Sequence, residues 1–93
     1  MEVFAGDIVY SKAGRDKDKP FVVLSVLSSD SDYAMLADGR CRRVDQPKKK
    51  KIKHLLKSGH SSAYIAEKLA EGVKVTNPDL KKVLAEFLNE HDV

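Results

Sequence analysis

The 93-residue chain has one cysteine, no tryptophan and no long apolar run. A single cysteine, Cys41, excludes an internal disulfide and a cysteine-based zinc site, and this usage agrees with a reducing compartment. We expect Cys41 to be a small buried hydrophobe rather than a reactive thiol. Aromatic residues make up only 6% of the chain, so the core is expected to be aliphatic.

No stretch of the sequence approaches the roughly 20 apolar residues that a membrane-spanning helix needs. The first residues, MEVFAGDIVY, also lack a positive region followed by an apolar run. We therefore expect a cytoplasmic protein, with one small domain or one small domain and an appendage. The 42% of apolar and 33% of charged residues are typical of a folded soluble protein.

Residue types that carry out catalysis or bind metals do not converge in this sequence. The three histidines, His54, His60 and His91, have no cysteine or carboxylate at metal-ligand spacing around them. Neither a GxxxxGK[ST] phosphate loop nor a GxSxG elbow is present. The stretch SGHS at 58–61 contains nucleophile and base types, but a turn followed by a helix cap explains it better. We predict that the protein is not an enzyme and needs no metal or other cofactor.

The excess positive charge is concentrated in one part of the chain. The net charge is +3, yet residues 38–57 carry nine basic and two acidic side chains, and the segments on either side are acidic on balance. Such a segment suits a polyanionic partner, although a charge run is by default only a solvated face.

The first half of the chain has the pattern of short strands. Apolar and β-branched runs at 6–12 and 21–28 predict two strands, separated by a polar turn at 13–20. The stretch 50–56 has enough apolar residues to add another short strand. Four or five strands with short connections predict a small barrel or a strongly twisted sheet whose first and last strands meet.

A hairpin is predicted over residues 32–44. The pair Asp38-Gly39 between two strand-like runs is the preferred sequence for a two-residue turn. Such a turn sets Leu36 opposite Cys41, so both side chains would share one face of the sheet.

The second half of the chain changes to a helical period. One helix is predicted to begin with Ser61 or Ser62 as its N-cap and to stop at Gly72. A second helix is predicted with Asn77 as N-cap and Pro78 at the first helical position. Its apolar stripe consists of Leu80, Val83, Leu84, Phe87 and Leu88. We expect both helices to pack on the barrel; the alternative is a helical hairpin that waits for a partner.

Nucleic acid is the partner that the charge distribution favours. Lysine and arginine held along one surface neutralise phosphates and release counterions, and a barrel would bring the basic elements side by side. In the loop 13–19, two aspartates nearly cancel the basic residues, so this loop would supply shape and directional hydrogen bonds. The sheet offers few stacking candidates, Tyr10, Tyr33 and Phe21, and Phe21 is expected in the core. This scarcity favours contact with the backbone of folded RNA over base-by-base reading of a single strand.

Five pieces of sequence, in this order, resemble the KOW-domain RNA-binding proteins of bacteria, which are similar to the KOW-containing large-subunit ribosomal proteins of archaea and eukaryotes. The pieces are GD, SKAGRDK, FVVLSV, ADGRCRRV and PKKKKIKHL, within residues 6–55. The resemblance implies an SH3-like five-stranded barrel that binds ribosomal RNA through its loops and basic edge, with Gly14, Arg15 and Lys17 among the loop contacts. Asp18 stands where the KOW motif usually carries glycine, and aspartate tolerates the left-handed backbone conformation.

The sequence therefore predicts an α+β protein, with a small SH3-like (KOW) β-barrel of about five strands at 1–56 and two amphipathic C-terminal helices at 57–93. We expect it to bind RNA, in particular large-subunit ribosomal RNA, as a ribosomal or ribosome-associated protein in the cytoplasm. The C-terminal helices are a candidate contact for a ribosomal or other protein partner. The predicted RNA-binding residues are Lys12, Gly14, Arg15, Lys17, Lys19, Arg40, Arg42, Arg43, Lys48, Lys49, Lys50, Lys51, Lys53 and His54.

Two alternatives stay open. One is a KOW-type transcription or translation adaptor that binds protein partners, although the residues after Leu56 are few for the separate domain that holds a polymerase. The other is a protein-interaction barrel whose lysines only confer solubility, and it predicts no affinity for nucleic acid.

Overall fold

The structure is a computed structural model that describes residues 2–12, 18–27 and 32–91. It contains a five-stranded antiparallel sheet followed by two helices, which confirms the predicted α+β class. The elements are β1 Asp7–Ser11, β2 Pro20–Leu27, β3 Tyr33–Ala37, β4 Lys48–Lys51, β5 Leu55–Ser61, α1 Ala63–Ala70 and α2 Asn77–His91. One turn of 3₁₀ helix, Ile52–His54, joins β4 to β5.

The sheet is strongly curved. Its strands pair in the order β4-β3-β2-β1-β5, so a flat sheet would separate β4 from β5 by four strand spacings, or roughly 19 Å. The chain from Lys51 to Leu55 spans at most about 14 Å even when fully extended. The sheet must therefore roll up until its two end strands approach each other. The described residues show no strand pairing between β4 and β5, so closure of the sheet into a barrel stays a prediction.

Each face of the sheet has its own core, because successive side chains of a strand point to opposite faces. The inner cluster consists of Val3, Val9, Phe21, Val23, Ala34, Leu36, Ile52 and Leu55. The outer cluster joins the sheet to both helices and consists of Ile8, Val22, Ala37, Ile65, Val75, Leu80, Leu84 and Phe87. Neighbours such as Val22 and Val23 fall into different clusters, which explains why β2 is apolar on both faces.

The predicted hairpin over 32–44 is wrong in its second strand. β3 ends at Ala37, and residues 38–47 form a loop. Cys41 consequently does not pair opposite Leu36 and is exposed, whereas the sequence predicted a buried side chain. The partner of β3 is β4, which the chain reaches only after this loop.

Local hydrogen bonds hold the start of that loop. The Oδ1 atom of Asp38 accepts hydrogen bonds from the backbone N–H groups of Arg40 and Arg42, both at 2.9 Å. The Arg42 carbonyl accepts in return from the N–H groups of Asp38 and Gly39, at 2.9 and 3.0 Å. A side chain that binds backbone amides in this way competes with strand pairing. The Asp-Gly pair therefore produces a side-chain-bonded turn rather than a two-residue hairpin turn.

The region predicted as one strand at 50–56 is divided by the 3₁₀ turn between β4 and β5. β5 then continues to Ser61, so the turn predicted at 58–61 is also wrong. The pairing of β5 with β1 shifts register between Asp7 and Val9, and Gly59 in β5 has a φ of +82°. Between these two pairs, three residues of β5 lie opposite one residue of β1, and Gly59 among them adopts a backbone conformation that other residues avoid.

Helix α1 begins as predicted. Ser62 is its N-cap, and the Ser62 Oγ atom accepts a hydrogen bond from the N–H of Ile65 at 3.2 Å. The last helical residue is Ala70, and Gly72 follows with a φ of +71°. A glycine in the left-handed conformation just after a helix is a frequent termination signal.

Helix α2 begins at Asn77, but its capping residue is Thr76, which corrects the predicted Asn77 cap. The Thr76 Oγ1 atom accepts from the N–H of Asp79 at 3.2 Å, and the Asp79 carboxylate accepts from the N–H of Thr76 at 3.0 Å. This reciprocal pair is a capping box. In the predicted apolar stripe, Leu80 is fully buried, whereas Leu88 is 42% exposed because it lies beyond the outer cluster.

Candidate nucleic-acid interface

The four consecutive lysines of the predicted site form β4, an edge strand of the sheet. Lys48 lies opposite Leu36 and Lys50 opposite Ala34, so these two lysines share the face of the inner cluster. Both are half-buried, as expected when alkyl stems lie along an apolar rim and the ammonium groups reach water. One half of the lysine run therefore also contributes to packing.

The other two lysines of β4 are exposed on the outer face. Lys51 lies opposite Tyr33 and Lys49 opposite Met35. The Lys49 Nζ atom is 4.6 Å from the centroid of the Tyr33 ring, and the Lys51 Nζ atom is 6.0 Å from it. The β4 run thus divides into an inner pair and an outer pair, a division that follows from strand alternation.

The loop 38–47 carries three more of the predicted contacts and is anchored on the start of α2. The backbone N–H of Val44 donates a hydrogen bond to Oδ1 of Asn77 at 2.8 Å. A Cβ atom added to Gly39 would lie 2.5 Å from the carbonyl oxygen of Asn77, so the loop and the helix are in direct backbone contact. The predicted contacts on this loop are Arg40, Arg42 and Arg43.

The two aspartates of the loop offset part of the charge of its three arginines, and both make contacts within the loop. Asp38 is buried, and its Oδ1 atom binds the backbone amides of Arg40 and Arg42. Asp45 pairs with Arg43 at 4.0 Å, but both side chains are mainly exposed, so this ion pair is weak. The guanidinium group of Arg43 can exchange Asp45 for a phosphate at low cost.

A groove of about 290 Å³ lies between the start of β2, the loop 38–47 and α2. Its lining includes Lys19 and Arg40, which the sequence predicted as RNA contacts, together with Lys81 of α2. Lys81 was missed because a lysine on a helix carries no signal until the helix packs beside the basic loop. The groove brings these three cations to one part of the surface.

A further group of predicted contacts lies where β1 meets the 3₁₀ turn. The backbone N–H of Lys12 donates to the carbonyl oxygen of His54 at 2.9 Å, and Lys12, Lys53 and His54 are all exposed. The predicted contacts Gly14, Arg15 and Lys17 lie outside the described residues. Asp18, which follows them, has a φ of +74°, the conformation expected where a glycine is usual.

The basic residues of the loop, β4 and the 3₁₀ turn follow one another along the chain, and we call them the basic ribbon. The ribbon consists of Arg40, Arg42, Arg43, Lys48–Lys51, Lys53 and His54.

Asp79 is the centre of a polar network away from the basic ribbon. Its carboxylate accepts hydrogen bonds from the Lys68 ammonium group at 2.8 Å and from the Tyr64 hydroxyl at 3.1 Å. The Lys68 ammonium group holds the pKa of the Asp79 carboxyl well below its ordinary value, and the N–H of Thr76 adds to this effect. Because the network joins α1 to the capping box of α2, its role is structural.

No group of three His, Cys, Asp or Glu residues that could hold a metal ion occurs within the described ranges. No helix in the described part of the chain is long and apolar enough to cross a membrane. No protein-family model matches the chain, and no curated protein matches it either.

Proposed function

We propose that the chain is an RNA-binding protein that associates with the large ribosomal subunit in the cytoplasm, in the manner of the KOW proteins that its sequence resembles. RNA phosphates would bind to the basic ribbon, and the protein would act by positioning, without catalysis. The single observation that carries this proposal is an edge strand made only of lysines, directly preceded by an arginine-bearing loop that is anchored on α2. Such a surface can neutralise several phosphates at once.

A competing explanation is that the lysines only protect the sheet edge. Lysine on an edge strand prevents the strand from pairing with another chain. This explanation accounts for β4, but it does not account for Arg40 and Arg43, which are exposed on a loop outside any strand. RNA binding accounts for the arginines of the loop as well as for the lysines of β4.

The test is the salt dependence of binding to large-subunit ribosomal RNA fragments. If five or six phosphates are contacted, the logarithm of affinity should fall with the logarithm of salt concentration at a slope of roughly −3 to −5. Replacing both exposed outer lysines, in K49A/K51A, should flatten that slope by about 1.5, because each lost phosphate contact removes roughly 0.7 to 0.9. The inner pair is avoided because those side chains also pack on the core rim.

The matched control is K74A/K82A, which removes the same charge from two exposed lysines outside the basic ribbon. We expect this variant to keep the slope of the unmodified protein. Equal slopes for the two double variants, or binding that does not respond to salt, would contradict the proposed interface.

A second measurement concerns the partner in cells. On a sucrose gradient of a cell lysate, the protein should travel with the large ribosomal subunit at low salt. Its presence only in the top fractions would favour a protein-binding adaptor instead.

A further inference from the structure

The outer face of the sheet is only partly covered by the helices. Ala37 of β3 belongs to the outer cluster, whereas Met35 and Tyr33, on the same face by strand alternation, belong to neither cluster. Across the sheet these two residues lie opposite Ser25 and Leu27 of β2, and both Met35 and Tyr33 are half-buried. The end of the sheet nearest β4 therefore presents an aromatic ring and an apolar neighbour beyond the reach of the helices.

Tyr33 differs in this respect from the other aromatic residues of the sheet. Phe21 is 1% exposed in the inner cluster. Tyr10 packs against the outer cluster, with its ring centroid 6.3 Å from that of Phe87 in α2. Of the three stacking candidates in the sheet, Tyr33 is the one whose ring borders the basic ribbon.

The two outer lysines of β4 both lie near this ring. Their Nζ atoms lie 4.6 Å (Lys49) and 6.0 Å (Lys51) from the ring centroid. Two residues apart on one strand, they are separated by about 6.6 Å along the backbone. That separation is of the same order as the distance between adjacent phosphates of an extended RNA strand. An aromatic face beside two cations is the arrangement that single-stranded nucleic acids require.

We propose that Tyr33, Lys49 and Lys51 form a subsite for one unpaired RNA nucleotide. The base stacks on the Tyr33 ring, and the phosphates on either side of it bind to the two ammonium groups. A paired base offers no free face for stacking, so the subsite selects a loop, a bulge or a single-stranded end. This subsite rests on the proposed RNA-binding function and specifies which part of an RNA the β4 edge binds.

Binding requires the Lys49 ammonium group to leave the ring and move to a phosphate. That exchange is easy, because an exposed cation–π contact is weak. The exchange nevertheless gives up the cation–π contact, which reduces the net free energy gained from stacking. We therefore expect the loss of affinity on removal of the ring to lie near the lower end of the range seen for aromatic stacking platforms. Loss of the ring should weaken binding of single-stranded RNA about 5- to 20-fold.

The test compares Y33F and Y33L with the unmodified protein, using a 12-nucleotide uridine strand and a 12-base-pair RNA duplex. Y33F keeps the ring and should bind both RNAs as the unmodified protein does. Y33L keeps an apolar side chain in β3 without a ring, and should lose affinity for the single strand while its affinity for the duplex and its salt slope stay unchanged. The matched control is Y64L, which makes the same change at an exposed tyrosine that also lies under a lysine, Lys68, but on α1; it should bind both RNAs as the unmodified protein does.

A direct readout uses Y33W, because the chain contains no other tryptophan. Its fluorescence should be quenched when the uridine strand binds and much less when the duplex binds. The subsite is refuted if Y33L binds the single strand like Y33F, or if both RNAs quench Y33W equally. Those outcomes leave salt-dependent RNA binding intact, whereas failure of the unmodified protein to bind either RNA overturns the proposed function as well.

Discussion

Replacing Gly39 by alanine tests whether the arginine-bearing loop is held on α2 by direct backbone contact. Two costs are expected. Gly39 has a φ of +82°, and an L-residue in the left-handed region costs about 1–2 kcal/mol. The added Cβ atom would also lie 2.5 Å from the Asn77 carbonyl oxygen, which belongs to the helix backbone and cannot rotate away.

The second cost can be separated from the first. To reach ordinary contact, the loop must move away from α2 by about 1 Å, which breaks the hydrogen bond from Val44 to Asn77 and costs about 1 kcal/mol. Gly59 provides the control, because its φ is also +82° but an added Cβ atom would have nothing within 4 Å. G59A should therefore show the backbone cost alone, and G39A should be less stable than G59A by about 1–2 kcal/mol.

The assay is thermal unfolding followed by circular dichroism. For a domain of this size, 1 kcal/mol shifts the Tm by roughly 4–8 °C, so the two variants should be readily distinguished. Urea unfolding provides a second value for the same difference. If G39A melts at the same temperature as G59A, the loop does not rest on α2 and the arginine positions inferred from that contact are wrong.

Two further predictions concern Asp79 and Cys41. Lys68 lowers the pKa of the Asp79 carboxyl below the value of about 3.9 that it has in the unfolded chain. The ionised carboxylate therefore stabilises the fold at pH values above about 3.9, and this stabilisation is lost as the pH falls below about 3.9. The Tm of D79N at pH 7 should therefore be lower than that of the unmodified protein, and it should change less between pH 5 and pH 2. Parallel profiles of Tm against pH for the two proteins would argue against the ion pair. Cys41 is exposed, so a thiol reagent should label it in the native protein about as fast as in urea, and C41S should change the unfolding free energy by less than about 0.5 kcal/mol. A protected thiol would contradict the structure of the loop.

Sequence patterns that lie within a single strand or helix predicted the local structure correctly. The β-branched run at 21–28 became β2, and the serine before the helical period at Ser62 became the cap of α1. The α+β class followed from the change of period between the two halves of the chain. These features depend on contacts between residues close in sequence, so the sequence carries them directly.

The structure of the segment 38–51 was mispredicted. The Asp38-Gly39 pair also fits a two-residue hairpin turn, but here the Asp38 side chain binds the backbone N–H groups of Arg40 and Arg42. Gly39 in addition contacts Asn77, which lies 38 residues later in the chain. The lysine run has no strand signal of its own, and it becomes β4 only because β3 offers an unpaired edge.

The sequence by itself determined the composition of the candidate site, because its basic residues are consecutive or nearly so along the chain. Tertiary structure alone decided on which face or loop each of these basic side chains lies. Pairing with β3 divides the lysines between two faces and sets Lys49 beside Tyr33. Packing on α2 anchors the arginine loop, in which Cys41 is exposed. The pairing of β4 with β3 and the packing of the loop on α2 depend on segments that are distant in the sequence, and no local pattern encodes them.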